Sequence, residues 1–295
     1  MGVIFKKDIF TKNWITSNSV EIVSEYDDGV LTLRALHYQL VGRGMKNDVQ
    51  HYKRVVSAMI DARWDGQISF ETFSDLDRAM VGETACRPTI LEDEIETGKK
   101  QIKAWMQSFH KNRWENQPYY PEIFIEKKAL QGVFQDLCEE WGITLGACKG
   151  YPSLTFLHES YERFNHADAV GQKPIIIYFG DYDPSGEDIP RSIGENLYKF
   201  GVQVEVRRIA LMEHQVVEWN LPPAPAKISD SRCANWNGLG QVELDAVRPE
   251  KLMELLEGAI RDVFDESLHD DLMIQEEGER EKYQKELKSF VSDLA

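Results

Sequence analysis

The sequence predicts an α/β domain built on a parallel sheet and preceded by a mainly helical region. From residue 119 onward, short apolar runs alternate with segments of helical periodicity. Such alternation is typical of parallel strands joined by right-handed crossovers. Before residue 119 the patterns are helical or irregular, without that alternation. We therefore expect two domains, residues 1–118 and residues 119–295.

Two apolar runs define the central strands of the second domain. Glu122–Glu126 is short, and Pro174–Gly180 is continuous and bounded by turn residues. A continuous run is expected of a central strand that is covered on both faces. The other predicted elements of this domain are strands at Ile143–Cys148 and Val202–Leu211, helices at Lys128–Trp141, Leu154–Phe164 (capped by Ser153) and Glu187–Phe200, and one or two acidic helices from Pro249.

The first domain contains two predicted helices followed by a turn and a short strand. The helices are Thr32–Gly42 and Val49–Trp64, and the turn begins at Gly66. This order is compatible with a winged-helix DNA-binding module. A further predicted helix, Lys99–Trp114, interleaves basic and aromatic residues. That pattern suits a nucleic-acid backbone, although a core stripe with a solvated opposite face is the commoner explanation.

Charge and cysteine usage narrow the classes of function. The net charge of −16 argues by itself against nucleic-acid binding. The charge is uneven, because residues 245–295 carry 15 acidic and 7 basic side chains and residues 32–64 carry 6 basic and 2 acidic ones. A local positive patch is sufficient for phosphate contact. The 4 cysteines lack C-x-x-C spacing and no apolar run suits a membrane span, so we expect a cytoplasmic protein without a zinc site or membrane contact.

The segment Gly180-Asp-Tyr-Asp-Pro-Ser-Gly186 follows the most apolar strand. Because side chains alternate along a strand, Asp181 and Asp183 are expected to point to the same side. Glu126 stands at the corresponding end of the first strand, where open α/β sheets bind ligands. Three converging carboxylates repel one another unless a cation neutralises them. The three acids therefore predict a Mg²⁺ site, with Mn²⁺ as the alternative ion, that serves phosphoryl transfer.

Parts of this pattern also have a structural explanation. A D-x-D sequence is common in turns, because Asp and Gly favour them. In favour of a functional site, Gly150 precedes a helix whose N-terminus could hold an anion. Glu243 and Asp245 could join the acidic site, but a structural role is the favoured interpretation of both residues.

Several motifs resemble one family when they are taken in order along the chain. FIEKKAL around Glu126, CKGYPS around Gly150 and GDYDPSG around Asp181 resemble the Toprim domain of topoisomerases, primases and some nucleases. The later segments RRIALMEHQV, NLPPAPAK and VELDAV are similar to the A subunit of topoisomerase VI and its relatives, which include the meiotic double-strand-break protein. The Toprim resemblance covers residues 120–211, and the A-subunit features extend to residue 247.

The resemblance implies a winged-helix domain that supplies a nucleophilic tyrosine four residues after an arginine. Leu33-Arg34-Ala-Leu-His-Tyr38 matches that pattern. On a helix, Leu33, Leu36 and Leu40 form an apolar stripe. Tyr38 lies about 165° from the centre of that stripe, on the same face as Arg34. The resemblance thus makes Tyr38 the nucleophile, with Arg34 binding the phosphate or lowering the pKa of the tyrosine. Without it, Tyr38 is a surface or interface aromatic.

The function that this resemblance implies is cleavage of double-stranded DNA by tyrosine transesterification, with a 5′-phosphotyrosyl product. It implies a homodimer in which each Tyr38 serves the acids of the other chain. An ATPase partner of the B type would be a separate protein, because the chain has no G-x-x-x-x-G-K-[ST] motif. Two alternatives stay open: a Toprim-type nuclease that uses an activated water, and a non-catalytic DNA-binding protein.

Overall fold

The computed structural model of the protein describes residues 9–25, 31–73, 89–223, 238 and 240–293. The helices within these ranges are α1 (Lys12–Ser24), α2 (Leu33–Gly42), α3 (Val49–Trp64), α4 (Leu91–Met106), α5 (Gln131–Trp141), α6 (Leu154–Ala169), α7 (Pro184–Phe200), α8 (Glu213–Glu218), α9 (Pro249–Arg261) and α10 (Glu266–Asp293). The strands are β1 (Tyr119–Ile125), β2 (Thr144–Ala147), β3 (Lys173–Phe179) and β4 (Glu205–Ala210).

The four strands form one parallel sheet in the order β2-β1-β3-β4. Ile125 at the end of β1 lies beside Phe179 at the end of β3, and β2 pairs with the other side of β1. The chain therefore leaves β1 towards one side and returns to extend the sheet on the other side. The predicted parallel α/β sheet is confirmed. In such sheets the ligand crevice lies where the strand order reverses, which here is between β1 and β3.

Alternate residues of the central strands face two helical layers. Ile123 and Ile125 belong to the cluster that includes residues of α5 and α9, whereas Phe124 and Ile176 belong to the cluster with α6 and α7. Because both faces are covered, a strand such as β3 is apolar along its length instead of alternating. Full burial of side chains of this size stabilises the fold by about 1.5–3 kcal/mol each.

Capping residues explain where several helices begin and end. The side chains of Thr32 and Ser153 accept hydrogen bonds from backbone N–H groups three residues later, at the starts of α2 and α6. Gly142 ends α5 with a φ of 64°, a conformation that glycine adopts at little cost. These ends were predicted from the sequence. The predicted helix at Lys128 begins instead with a short 3-10 turn, and the α-helix follows it.

Helices α1, α2 and α3 enclose a hydrophobic cluster of their own, which includes Ile15, Leu36 and Met59. The predicted turn at Gly66 is present, with a φ of 69°. The short strand expected after it is replaced by a 3-10 turn and a single parallel bridge between Phe73 and Leu31. A strand needs a partner along its length, and Leu31 supplies only one residue of pairing.

Helix α4 differs from its predicted position at Lys99–Trp114. It begins eight residues earlier, where three acidic residues occupy the first turn, and ends at Met106. Acidic side chains at that position favour the positive end of the helix dipole. Trp114 lies outside the helix, because its buried indole N–H donates to the carbonyl of Trp141 at 2.8 Å. The basic and aromatic residues predicted to lie on one helix are thus divided, because Trp105 lies in α4 and Trp114 lies in the hydrophobic core.

The acidic C-terminal region forms two helices, as predicted. Leu252, Leu256 and Ile260 of α9 are buried against the sheet cluster. Helix α10 continues for 28 residues. Among the residues described, no helix combines the length and the apolar character that crossing a membrane requires.

Candidate functional site

Glu126 and Asp181 meet at the carboxyl ends of β1 and β3. The backbone N–H of Glu126 donates to the carbonyl of Phe179 at 2.8 Å, which continues the pairing of the two strands by one residue. Oε2 of Glu126 accepts a hydrogen bond from the backbone N–H of Asp181, also at 2.8 Å. Both side chains are buried. The two acids predicted from separate strands are therefore in direct contact.

Asp183 is buried at the start of α7. Its Oδ1 accepts a hydrogen bond from the backbone N–H of Gly186 at 2.7 Å, so it is the N-cap of that helix, and Pro184 follows at the first helical position. A Cβ on Gly186 would lie 2.1 Å from the carbonyl oxygen of Asp181. The sequence D-x-D-P-x-G thus combines a helix cap, a helix start and a close approach of two backbone segments.

A distant segment adds two more acids to this edge of the sheet. Tyr182 and Val242 form an antiparallel bridge, with N–H to carbonyl distances of 2.8 and 2.9 Å. The bridge positions Leu244, whose N–H donates to Oδ1 of Asp181 at 2.8 Å. Glu243 and Asp245 flank Leu244 and are buried. The sequence allowed both a structural role and membership of the acidic site for these residues, and the structure places both of them in ion pairs with Lys127.

Lys127 lies among the acids, with its side chain 21% exposed. Its Nζ is 3.0 Å from Oδ1 of Asp181, 3.0 Å from Oε2 of Glu243 and 2.7 Å from Oδ2 of Asp245. Burial favours the neutral amine, but the carboxylates outweigh it and raise the pKa of Lys127 above its usual range. Lys127 was missed from the sequence, where its only signal was a position next to Glu126.

Glu126 and Glu243 experience opposite electrostatic environments. Burial, together with the negative charges of Asp181 and Asp183, raises the pKa of Glu126 to about 7. Burial acts in the same direction on Glu243, but the positive charges of Lys127 and Arg34 outweigh it and lower the pKa of Glu243 to about 2. The negative charge at this edge is therefore compensated on the Glu243 side and uncompensated on the Glu126 side.

Helix α2 brings the two predicted catalytic residues to the Glu243 side. Arg34 forms a bidentate pair with Glu243, with Nε to Oε2 at 2.7 Å and Nη2 to Oε1 at 2.6 Å. Tyr38 is 3% exposed and belongs to the cluster of the sheet, whereas Leu36 and Leu40 belong to the N-terminal cluster. The predicted separation of Tyr38 from the leucine stripe is confirmed, and the tyrosine face is covered by the α/β region of the same chain.

The expected effect of Arg34 on the pKa of the tyrosine is present, but it does not decide the protonation state. Burial and the negative charge of Glu243 raise the pKa of Tyr38 above its usual range, and the opposing effect of Arg34 is smaller than their sum. Arg34 is already paired with Glu243. The negative charge of that carboxylate therefore offsets much of the effect of Arg34 on the pKa of the tyrosine. The phenol is therefore held in its protonated form.

Two cavities adjoin Tyr38. One, of about 80 Å³, is lined by Arg34, His37 and Tyr52 among others. Burial lowers the pKa of His37 to about 4, so this imidazole is neutral near pH 7. The other cavity, of about 320 Å³, includes Arg248 and Lys251 in its lining. Cationic side chains thus border Tyr38 on both sides.

The basic patch expected at residues 32–64 is partly used within the chain. Arg34 pairs with Glu243, Arg43 pairs with Glu21, Arg54 donates to the carbonyl of Phe10, and Arg63 lies over the ring of Phe70. Lys46 and Lys53 lie exposed on the surface. The charge available to an incoming phosphate is therefore smaller than the sequence count suggests.

The chemistry of the predicted ligand set fits a hard divalent cation. Glu126, Asp181 and Asp183 offer only carboxylate oxygens, which Mg²⁺ prefers. The pKa of Glu126 is raised first by burial and then by neighbouring negative charge, and a cation would relieve the second cause. Within the described part of the chain, no three acidic, His or Cys side chains stand together in ligating positions. Holding an ion would thus require these side chains to turn.

No family model, curated protein or solved structure matches the chain.

Proposed function

We propose that this chain binds double-stranded DNA as a homodimer and cleaves it by transesterification from Tyr38, in the manner of the topoisomerase VI A subunit. The Toprim and winged-helix assignments are part of the proposal. The observation that carries it is the position of α2, which brings Arg34 and Tyr38 against the acids at the carboxyl edge of the sheet. Tyr38 is buried in the cluster of the sheet and close to Glu243, which supports a role for it at this edge.

The proposed reaction exchanges one phosphoester for another. The phenolic oxygen of Tyr38 forms a bond to phosphorus, and the bond from phosphorus to the 3′ oxygen of the neighbouring nucleotide breaks. The phenol loses its proton and the departing 3′ oxygen gains one. The products are a 5′-phosphotyrosyl link and a free 3′ hydroxyl group, and the reverse reaction reseals the strand.

Arg34 has the geometry for phosphate recognition, because its guanidinium already makes a two-point contact with a carboxylate. A phosphate presents the same pair of acceptor oxygens. In the proposal, DNA exchanges with Glu243 for this contact.

Glu126, Asp181 and Asp183 would hold Mg²⁺, or Mn²⁺, which when bound would neutralise negative charge on the phosphate. Lys127 keeps the Asp181 side of this group compensated through its ion pairs. The homodimer and an ATPase partner of the B type follow from the resemblance alone. Within one chain, Tyr38 lies beside Glu243. For Tyr38 to react at the acids of a second chain, α2 would have to separate from this edge of the sheet.

The test is denaturing electrophoresis of end-labelled duplex DNA incubated with the protein and Mg²⁺ or Mn²⁺. We expect a protein-linked DNA species that Tyr38→Phe abolishes without loss of DNA binding. Tyr52→Phe is the matched control, because Tyr52 lines the same small cavity and the variant should retain the adduct.

Two other results would replace the proposal. Free cut DNA that persists in Tyr38→Phe but is lost in Asp181→Ala would identify a nuclease that uses an activated water. DNA that is bound but left intact by the wild-type protein with either ion would identify a non-catalytic binding protein. Measuring the folded fraction of each variant by circular dichroism separates loss of chemistry from loss of the fold.

A further inference from the structure

Helix α4 exposes an ordered row of large apolar side chains. No residue of this helix is buried. Leu91, Ile95, Ile102 and Trp105 are 67%, 48%, 50% and 51% exposed. Their spacing of four, seven and three residues places them on one face of the helix, with Gly98 at the remaining position of the row. This is the a/d spacing of a helix that packs along another helix.

The charges beside this row differ between the two halves of the helix. Glu92, Glu94 and Glu96 lie before Gly98, and Lys99 and Lys103 lie after it. Gly98 is also midway between Leu91 and Trp105. An antiparallel copy of the same helix would therefore place an acidic half against a basic half on both sides of a two-fold axis.

We propose that α4 packs antiparallel against α4 of a second copy of this chain, with the two-fold axis at Gly98. Leu91 then lies opposite Trp105 of the second copy, and Ile95 lies within one residue of its Ile102. The helices can approach closely at the centre, because Gly98 has no side chain and the space beside it is open in the single chain. Each of the four apolar side chains leaves water on pairing, which drives association.

The charge pattern distinguishes this occupant from others. A parallel copy in register would put the acidic halves together, at a cost in repulsion. DNA or an anionic lipid surface would meet three glutamates along half of the row. Helix α10 of the same chain contacts α4 and binds the segment after it: the ring of Tyr283 lies 5.3 Å from that of Phe109, and Glu279 pairs with Lys111. The apolar row stays exposed with α10 in that position.

This dimer surface depends on α4 alone, so it holds whether or not Tyr38 cleaves DNA. It goes beyond the proposed function by assigning the contact between two chains to a helix outside the acidic edge. Failure of DNA cleavage with an intact dimer would overturn only the proposed chemistry. A monomeric wild-type protein would overturn the assignment of α4 and the homodimer of the proposed function, but not cleavage from Tyr38.

The first test is the mass of the full chain in solution, measured by sedimentation velocity over a concentration series. We expect the wild-type protein to be a dimer. Its dissociation constant should rise at least tenfold in Ile102→Glu, because the variant places a charged side chain in both halves of the symmetric contact. Ile60→Glu on α3 is the matched control, since Ile60 is also an exposed isoleucine within a helix. A wild-type monomer at tens of micromolar, or an unchanged dissociation constant in Ile102→Glu, would overturn the proposal.

The second test addresses orientation. Lys99→Glu removes the net positive charge of the basic half, where Lys103 remains, and should weaken the dimer. Adding Glu92→Lys to that variant restores opposite charges between antiparallel copies and should recover most of the affinity. If the double variant is as weak as the single one, the antiparallel arrangement is wrong. Circular dichroism of each variant checks that the helix content is retained.

Discussion

Glu126 and Glu243 are buried within the same site, yet their pKa values move in opposite directions, to about 7 and about 2. Burial raises both pKa values. The difference comes from their neighbours, because Glu243 contacts Arg34 and Lys127 while Glu126 is close to two further acids. The sign of the neighbouring charge therefore decides the protonation state at this edge, and burial sets how strongly the charge acts.

The comparison divides the site into a compensated half and an uncompensated half. Lys127 and Arg34 make the Glu243 half resemble an internal ion-pair network, which favours the folded chain. The Glu126 half retains negative charge that either a proton or a cation can relieve. Asp181 belongs to both, since it donates its N–H to Glu126 and pairs with Lys127. Substitutions at these positions test whether the two halves behave differently.

Loss of the central cation should have the largest effect. Lys127→Met leaves Asp181, Glu243 and Asp245 buried without the ammonium group that contacts all three. Removal of one partner from a buried ion pair costs about 3–5 kcal/mol. We expect a fall of that size in the free energy of unfolding, measured by urea titration near pH 7.

Lys199→Met provides the control for this prediction. Lys199 is an exposed lysine in the last turn of α7, so its replacement should change stability by no more than about 0.5 kcal/mol. Equal effects of the two substitutions would show that the Glu243 half does not depend on Lys127.

Gly186→Ala should have the next largest effect, because it disturbs the residue that joins the two halves. The new Cβ would lie 2.1 Å from the carbonyl oxygen of Asp181, so the backbone must move. We expect a loss of about 3 kcal/mol in thermal or urea unfolding. Displacement of Asp181 should also weaken its hydrogen bond to Glu126 and its ion pair with Lys127.

Gly194→Ala is a control on the same helix. Its Cβ would meet only a methyl group of Val206, at 3.8 Å, which is an ordinary contact. Replacement of a mid-helix glycine by alanine favours the helix by about 1 kcal/mol. The two glycines of α7 should therefore respond with opposite signs, and a similar response at both positions would contradict the close approach at Asp181.

The local parts of this site were predictable from the sequence. Asp181 and Asp183 follow a strand that is recognisable by its continuous apolar run, and Glu126 ends the other predicted central strand. The carboxyl ends of neighbouring parallel strands meet at one edge of a sheet, and this general rule is sufficient to bring Glu126 close to Asp181. The helix signals at Thr32, Ser153 and Gly142 depend on a few adjacent residues, which is why they were predicted at the correct positions.

The non-local parts were not predictable in the same way. Lys127 contacts Glu243 and Asp245 across 116 and 118 residues of chain, and no periodicity in the sequence encodes that meeting. Tyr38 is buried because α2 packs against a second region on the face opposite its leucines. Helical periodicity located that face correctly, but it does not state what covers the face.

The pH dependence of stability should separate Glu126 from Glu243. The folded pKa of Glu126 lies above its ordinary value of 4.5, so the folded chain holds a proton that the unfolded chain releases between about pH 4.5 and about pH 7. Ionisation of Glu126 therefore destabilises the fold as the pH rises through that window. Glu126→Gln removes the penalty and should be more stable than the wild type by about 3 kcal/mol at pH 8, and by much less near pH 5.

Glu243→Gln should behave in the opposite way in the same urea titrations, performed with EDTA so that no divalent ion compensates Glu126. The folded pKa of Glu243 lies below its ordinary value, so its contribution is fully present above about pH 4.5 and is lost only as the pH falls towards 2. This variant should therefore be less stable by a constant amount from pH 5 to pH 8. A pH-independent effect of Glu126→Gln would mean that its carboxyl is compensated like that of Glu243. The division of the site into two halves would then be wrong, because both acids would serve the fold alone.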